Sequence, residues 1–179
     1  MSSTQKALID VMNDIQPDLF SNTFTEEQMH RIQNQYEIFF KELNEEFNKS
    51  LSDQSKYITT SLESLDELTL EEYLKSLSNP GSLNILRINQ PNLRINQVFL
   101  ETYKIQKNLA HTILNKYLEF NREASYVGFE LNPLKLISHD NMRNLYLMIT
   151  GEISIKKKST HDIIKEGMVT ISLPIETFY

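Results

Sequence analysis

A single stripe of apolar residues constrains this chain more than any other feature of its sequence. Met29, Ile32, Tyr36, Phe39, Phe40, Leu43, Phe47 and Leu51 recur at steps of three and four, the spacing that gathers side chains on one face of an α-helix. A start signal stands just before the stripe. Thr25-Glu26-Glu27-Gln28 has the form of a capping box, in which the Thr hydroxyl accepts the N–H three residues on and the Gln side chain reaches back. Phe24 and Met29 flank the box where a hydrophobic staple would put them. The pattern predicts a helix over about 26–56, on the order of 45 Å long at 1.5 Å per residue.

The rest of the chain is read against that helix. A second capping box, Thr69-Leu70-Glu71-Glu72, opens a short helix that ends before Pro80. Between the two boxes, Ile58, Leu62 and Leu65 suggest continued helix, weakened by Thr59, Thr60, Ser61 and Ser64. An N-terminal helix is expected over about 5–15, stopped by Pro17. From about 97 to 121, Phe99, Tyr103, Ala110, Ile113, Leu114 and Tyr117 fall on one stripe and predict the antiparallel partner of the long helix. Ser138 reads as the cap of a helix over about 140–149 with Gly151 at its end. Beyond it, 153–156 and 169–173 alternate with period two around the polar loop KKKSTHD. That predicts a small hairpin, which Pro174 would confine to a sheet edge.

One repeat interrupts this plan. LRINQ occurs at 86–90 and again at 93–97, with Pro91 between the copies. Proline lacks the N–H and clashes with the preceding turn, so the copies cannot share one unbroken helix. Residues 81–95 are therefore expected as a partly extended joint, with Asn96 capping the next helix. The resulting fold class is mainly α. It is a helical bundle built on helices of about 26–56 and 97–121, with a small C-terminal α/β hairpin element. Its organisation is an acidic helical region 1–80, a connector 81–96, and a second region 97–179 packed with the first. The aromatic stripe exceeds what two short neighbours would cover, which predicts a homodimer through the long helix.

Charge divides the chain at the same place. Residues 1–80 hold fifteen acids against six Lys or Arg, whereas 81–179 hold nine against twelve. The absence of cysteine excludes disulfides, thiolate catalysis and Cys-containing metal sites. Four glycines assemble neither a P-loop nor a dinucleotide turn, and no Gly-flanked serine marks a nucleophile elbow. No stretch reaches the roughly 20 apolar residues of a membrane span, and the N-terminus lacks the pattern of a signal peptide, which predicts a cytoplasmic protein.

Three surfaces remain as candidates. Glu42, Glu45 and Glu46 lie opposite the apolar stripe and would steer a basic protein partner by summed charge. Phe178 and Tyr179 would either fold back or present a docking peptide. The cluster Lys156-Lys157-Lys158 with Arg143 and Lys165 reads as a solubilising turn, so no direct nucleic-acid contact is expected. His111, His139-Asp140 and Asp162 follow an order that resembles the ligand order of metal-dependent phosphohydrolases named for their His-Asp dyad. That resemblance implies a divalent metal, whereas Asp140 in the first turn of a helix is favoured without one. The sequence therefore predicts a non-enzymatic interaction protein without cofactor, acting as an adaptor, assembly factor or inhibitor. A metal-dependent hydrolase and an acidic mimic of nucleic acid are the alternatives.

Overall fold

The computed structural model describes residues 24–79, 82–89, 97–121, 125–131 and 145–175. They form three helices and six strands in the order α1 (Glu26–Ser50), β1 (Lys56–Thr69), α2 (Leu70–Ser76), β2 (Leu83–Asn89), β3 (Gln97–Tyr103), α3 (Lys107–Phe120), β4 (Ser125–Leu131), β5 (Leu145–Lys157) and β6 (Ile163–Pro174). The chain divides into two units, Met1–Ile38 and Phe39–Tyr179.

In the first unit the capping box is present: Gln28 N donates to Thr25 Oγ1 over 3.0 Å, and Thr25 N donates to Gln28 Oε1 over 2.9 Å. Phe24 and Tyr36 are buried, and Ile38 is exposed.

The second unit is built on one sheet of order β1-β5-β6-β3-β2-β4 in which every neighbouring pair is antiparallel. Strands from the two parts of the chain interleave. The set β1, β2, β3 takes the first, fifth and fourth places, and β4, β5, β6 takes the sixth, second and third, so exchanging the sets reverses the order onto itself.

Helices cover both faces. On one, Leu70, Tyr73, Leu74 and Leu77 of α2 and its C-cap pack on Leu83, Ile85, Phe99, Tyr103, Tyr146 and Met148. On the other, the Phe40 ring lies on Gly151, where a Cβ would overlap it. Phe39 meets Tyr117 and Phe120 of α3 at centroid distances of 6.1 and 5.2 Å. Gly151 is thus the seat of α1 in the middle of β5.

These observations correct the expectation of a helical bundle. The long helix stops at Ser50, and 56–69 is strand: Thr59 and Thr60, read as weak helix, are β-branched residues of β1. Residues 97–103 are strand, so the second helix begins only at Lys107 and Asn96 precedes a strand. Leu145–Ile149 belongs to β5, where Gly151 is an interior residue and no C-cap. The hairpin β5–β6 occupies the second and third places of the sheet instead of an edge. Leu86–Asn89 of the first LRINQ copy lies in β2; the rest of the repeat up to Asn96, and the helix expected over 5–15, lie outside the described residues. The apolar stripe from Phe39 to Phe47 is buried within its own unit, at 0–1% exposure for Phe39, Phe40, Leu43 and Phe47.

Candidate functional site

The centre of the sheet beneath α2 carries an unusual set of polar side chains. Antiparallel pairing sets Glu101 of β3 opposite Thr170 of β6, on the face that α2 covers. The Tyr73 hydroxyl donates to Thr170 Oγ1 over 2.9 Å, and Thr170 Oγ1 lies 3.1 Å from Thr150 Oγ1. Burial pushes the Tyr73 phenol up, so it remains a donor at neutral pH.

Glu101 is fully buried. Ser172 Oγ sits 2.7 and 2.8 Å from its two carboxyl oxygens and 2.8 Å from Met148 Sδ. One hydroxyl has one hydrogen, so it cannot serve a carboxylate and the sulfur together. A protonated Glu101 resolves the arrangement by donating to Ser172 Oγ, which is then free to donate to sulfur. Desolvation accordingly pushes the Glu101 carboxyl up to about 8, against the lowering effect of the Ser172 hydrogen bond. The carboxyl is thereby mainly protonated at neutral pH, and the buried Ser172 beside it has no route to a substrate. This network seats α2 on the sheet.

Past the end of α2 the same face opens into a concavity of about 270 Å³, lined by Glu63, Tyr103, Lys104, Glu152, Glu166 and Met168 among others. Glu63 occupies the bulge in β1. Lys104 adopts a positive φ of 57° where the chain leaves β3, and its Nζ stands 5.2 Å from the Tyr103 ring centroid. Three carboxylates around one ammonium form a solvated acidic surface suited to contacting a cationic side chain. Glu63, Glu152 and Glu166 come from three strands far apart in sequence, and no local motif announced them.

Part of the outer edge of β1 is met by α1. Asn48 of α1 accepts from Ile58 N over 2.8 Å and donates to Ile58 O over 2.8 Å, and Asn44 accepts from Thr60 N over 2.8 Å. Two amides four residues apart on a helix thus satisfy the outward backbone groups of Ile58 and the N–H of Thr60 in place of a further strand. At the hairpin tip, Lys158 N donates to Ser55 O over 2.9 Å, and the Tyr57 hydroxyl lies 2.9 Å from His161 Nδ1.

The residues singled out from sequence distribute as follows. Glu42 and Glu45 are exposed and Glu46 is half-buried on α1, away from the concavity's lining. Phe178 and Tyr179 lie outside the described residues, as do Arg143, His139 and Asp140. His111 is exposed on α3 and Asp162 is exposed in the β5–β6 turn. Among the described residues no group of three or more His, Asp or Glu is placed to hold a metal ion, and no helix is long and apolar enough to cross a membrane.

A single antiparallel sheet with α2 on one face and α3 and the 39–50 part of α1 on the other defines the class as α/β. No protein-family model and no curated protein matches the sequence. Among solved structures, the fold is similar to the middle domain of FliM from H. pylori, with 15% identity, a TM-score of 0.64, and coverage of 87% of this chain and 96% of that one. A chain of the FliG–FliM complex from H. pylori matches at 15% identity and a TM-score of 0.66, covering 86% of this chain and 96% of that chain. FliY from Thermotoga maritima matches at 9% identity and a TM-score of 0.56, covering 87% and 93%. At these identities the likeness shows the fold.

Proposed function

We propose that this chain is a non-enzymatic protein-interaction module of the cytoplasm. The observation that carries the reading is the likeness of fold, over 86% of this chain, to a structure of FliM in complex with FliG. The polar groups buried in the sheet support it, because Glu101 and Ser172 serve packing and offer no accessible nucleophile or base. The partner we propose is a basic protein, met on one face of the sheet by the exposed Glu42 and Glu45 and by Glu46, or on the other by the carboxylates of the concavity; Phe178 and Tyr179 supply a second, apolar contact.

The test is co-purification of the full chain from native cell extract beside three variants. One carries Glu42→Lys, Glu45→Lys and Glu46→Lys, one carries Glu152→Lys and Glu166→Lys, and one lacks Phe178 and Tyr179. A protein retained at near-stoichiometric amount by the unmodified chain, and lost from at least one charge-reversal variant, supports the reading. No retained protein, in extracts where the chain itself is recovered folded, overturns it.

A further inference from the structure

We infer that the tip of the β5–β6 hairpin is a docking site for the surface of a membrane bearing anionic lipid. The inference goes beyond the interaction reading above and needs no protein partner.

The first observation is a projecting, ordered end of the sheet. β6 pairs with β5 down to Ile163, but with β3 only from Met168 to Ser172. The hairpin and the start of β1 therefore outrun β3 by about 16 Å. Asn48 binds both backbone groups of Ile58, so Ile58 points away from β5 and its neighbour Thr59 points toward Ser154. Ser154 is opposite Glu166, whose N–H and C=O therefore point away from β5, past the last residue of β3. At the tip, His161 N donates to Lys157 O over 2.8 Å and Lys157 N to Asp162 O over 3.0 Å. A turn already held in one shape loses little freedom on docking.

The second observation is apolar surface at the same place. Ile163 and Ile164 are 51% and 44% exposed, two of the three large hydrophobics exposed among the described residues. Ile163 is opposite Lys156, so the apolar pair stands in the same row as the lysines.

The third observation is the charge, counted over the depth that a membrane field reaches. That field falls off within about 10 Å, roughly three residues of strand. Over that depth from the turn stand Lys56, Lys156, Lys157, Lys158 and Lys165, against Asp53 and Asp162. Glu166 is one residue deeper, and counting it leaves the balance positive. The remaining acids lie farther back: Glu152 opposite Met168, Glu63 past Leu62 in the bulge of β1, and Glu45 and Glu46 between the two asparagines that bind Thr60 and Ile58. Lys49 stands beside that pair on α1.

A solubilising turn would account for the lysines and not for two isoleucines among them. Nucleic acid would take the lysines and gain nothing from the isoleucines. An anionic lipid surface uses both, because apolar side chains enter the headgroup boundary while ammonium groups stay at its phosphates.

The test sediments the full chain with vesicles of phosphatidylcholine, alone or mixed with phosphatidylserine. Binding is expected about tenfold or more tighter on the mixed vesicles, and about tenfold weaker when salt rises from about 0.1 M to about 1 M. Lys157→Glu with Lys158→Glu, and separately Ile163→Ser with Ile164→Ser, should each weaken it about tenfold. Lys41→Glu with Lys75→Glu makes the same change of net charge on exposed positions of α1 and α2, and should alter binding less than about twofold. Two independent pairs at the tip keep the test decisive if one fails to fold. Equal binding to both vesicles, indifference to the tip variants, or an equal loss from the Lys41 and Lys75 pair overturns the inference. Binding to duplex DNA that survives the isoleucine pair, with none to vesicles, overturns it in favour of nucleic acid. Failure on vesicles leaves the protein-partner reading standing, because retention from extract is measured without lipid.

Discussion

Two unpaired stretches of strand backbone, one on the outer strand β1 and one where the interior strand β6 outruns β3, are treated in opposite ways. At the start of β1, Asn48 binds both backbone groups of Ile58 and Asn44 accepts from Thr60 N, in place of bonds that a further strand would have made there. At the hairpin end of β6, the backbone of Glu166 points outward beyond the last residue of β3, beside two exposed isoleucines. The first stretch is met by a helix that the sheet itself holds down; the second is left unpaired at the start of another helix. Unpaired strand backbone is a template for association, and the difference separates where the fold prevents it from where it permits it.

The largest expected effect breaks the closed side at its anchor. Phe39→Ala removes a fully buried ring that touches Phe40, Tyr117 and Phe120, and should cost about 3–5 kcal/mol in denaturant unfolding. A cost below about 1 kcal/mol would mean that α1 is not seated by this cluster.

Glu101 gives the next effect, through pH. Its carboxyl is pushed up to about 8 in the fold from an ordinary 4.5, so between those values the folded chain holds a proton that the unfolded chain releases. The stabilisation is complete below about 4.5 and is lost as pH rises toward 8, by up to about 1.4 kcal/mol per pH unit. Glu101→Gln should flatten that slope and leave the variant more stable than the parent above pH 8. Parallel stability–pH curves for the two proteins would contradict a neutral acid in the core.

Asn48→Ala sharpens the comparison directly. Ile58 loses both its edge partners, at an expected cost of about 1–2 kcal/mol, with faster exchange of the Ile58 amide. At the open end, Ile163→Ser should change stability by less than about 0.5 kcal/mol, because the side chain is already half in water. Comparable losses from the two substitutions would erase the distinction between the edges.

What could be read in the sequence followed local chemistry. Both capping boxes stand where Thr25 and Thr69 announced them, because a cap depends on four consecutive residues. The strands around KKKSTHD showed in their alternation. β1 and β3 did not, for two physical reasons. The bulge between Leu62 and Ser64 shifts the period of β1 halfway along, so Ile58, Leu62 and Leu65 mimic helical spacing. In β3 a buried acid, Glu101, occupies an inward position, and an acid reads as surface unless its proton is known to stay. Phe99 and Tyr103 then joined the stripe of α3 by accident of spacing. The concavity and the β6 edge were illegible for another reason. They are made by pairing between strands that are distant in sequence, and Glu63, Glu152 and Glu166 meet only once the order β1-β5-β6 exists.

Amide hydrogen exchange of the full chain, residue by residue, tests the contrast between the edges most directly. The Ile58 and Thr60 amides should be protected with the sheet interior, because Asn48 and Asn44 hold them, while Glu166 should exchange at a rate set by solvent. Ile58 and Thr60 exchanging as fast as Glu166, or Glu166 protected in the isolated chain, would contradict a β1 backbone held by α1 at Ile58 and Thr60 and a β6 backbone left open beyond β3.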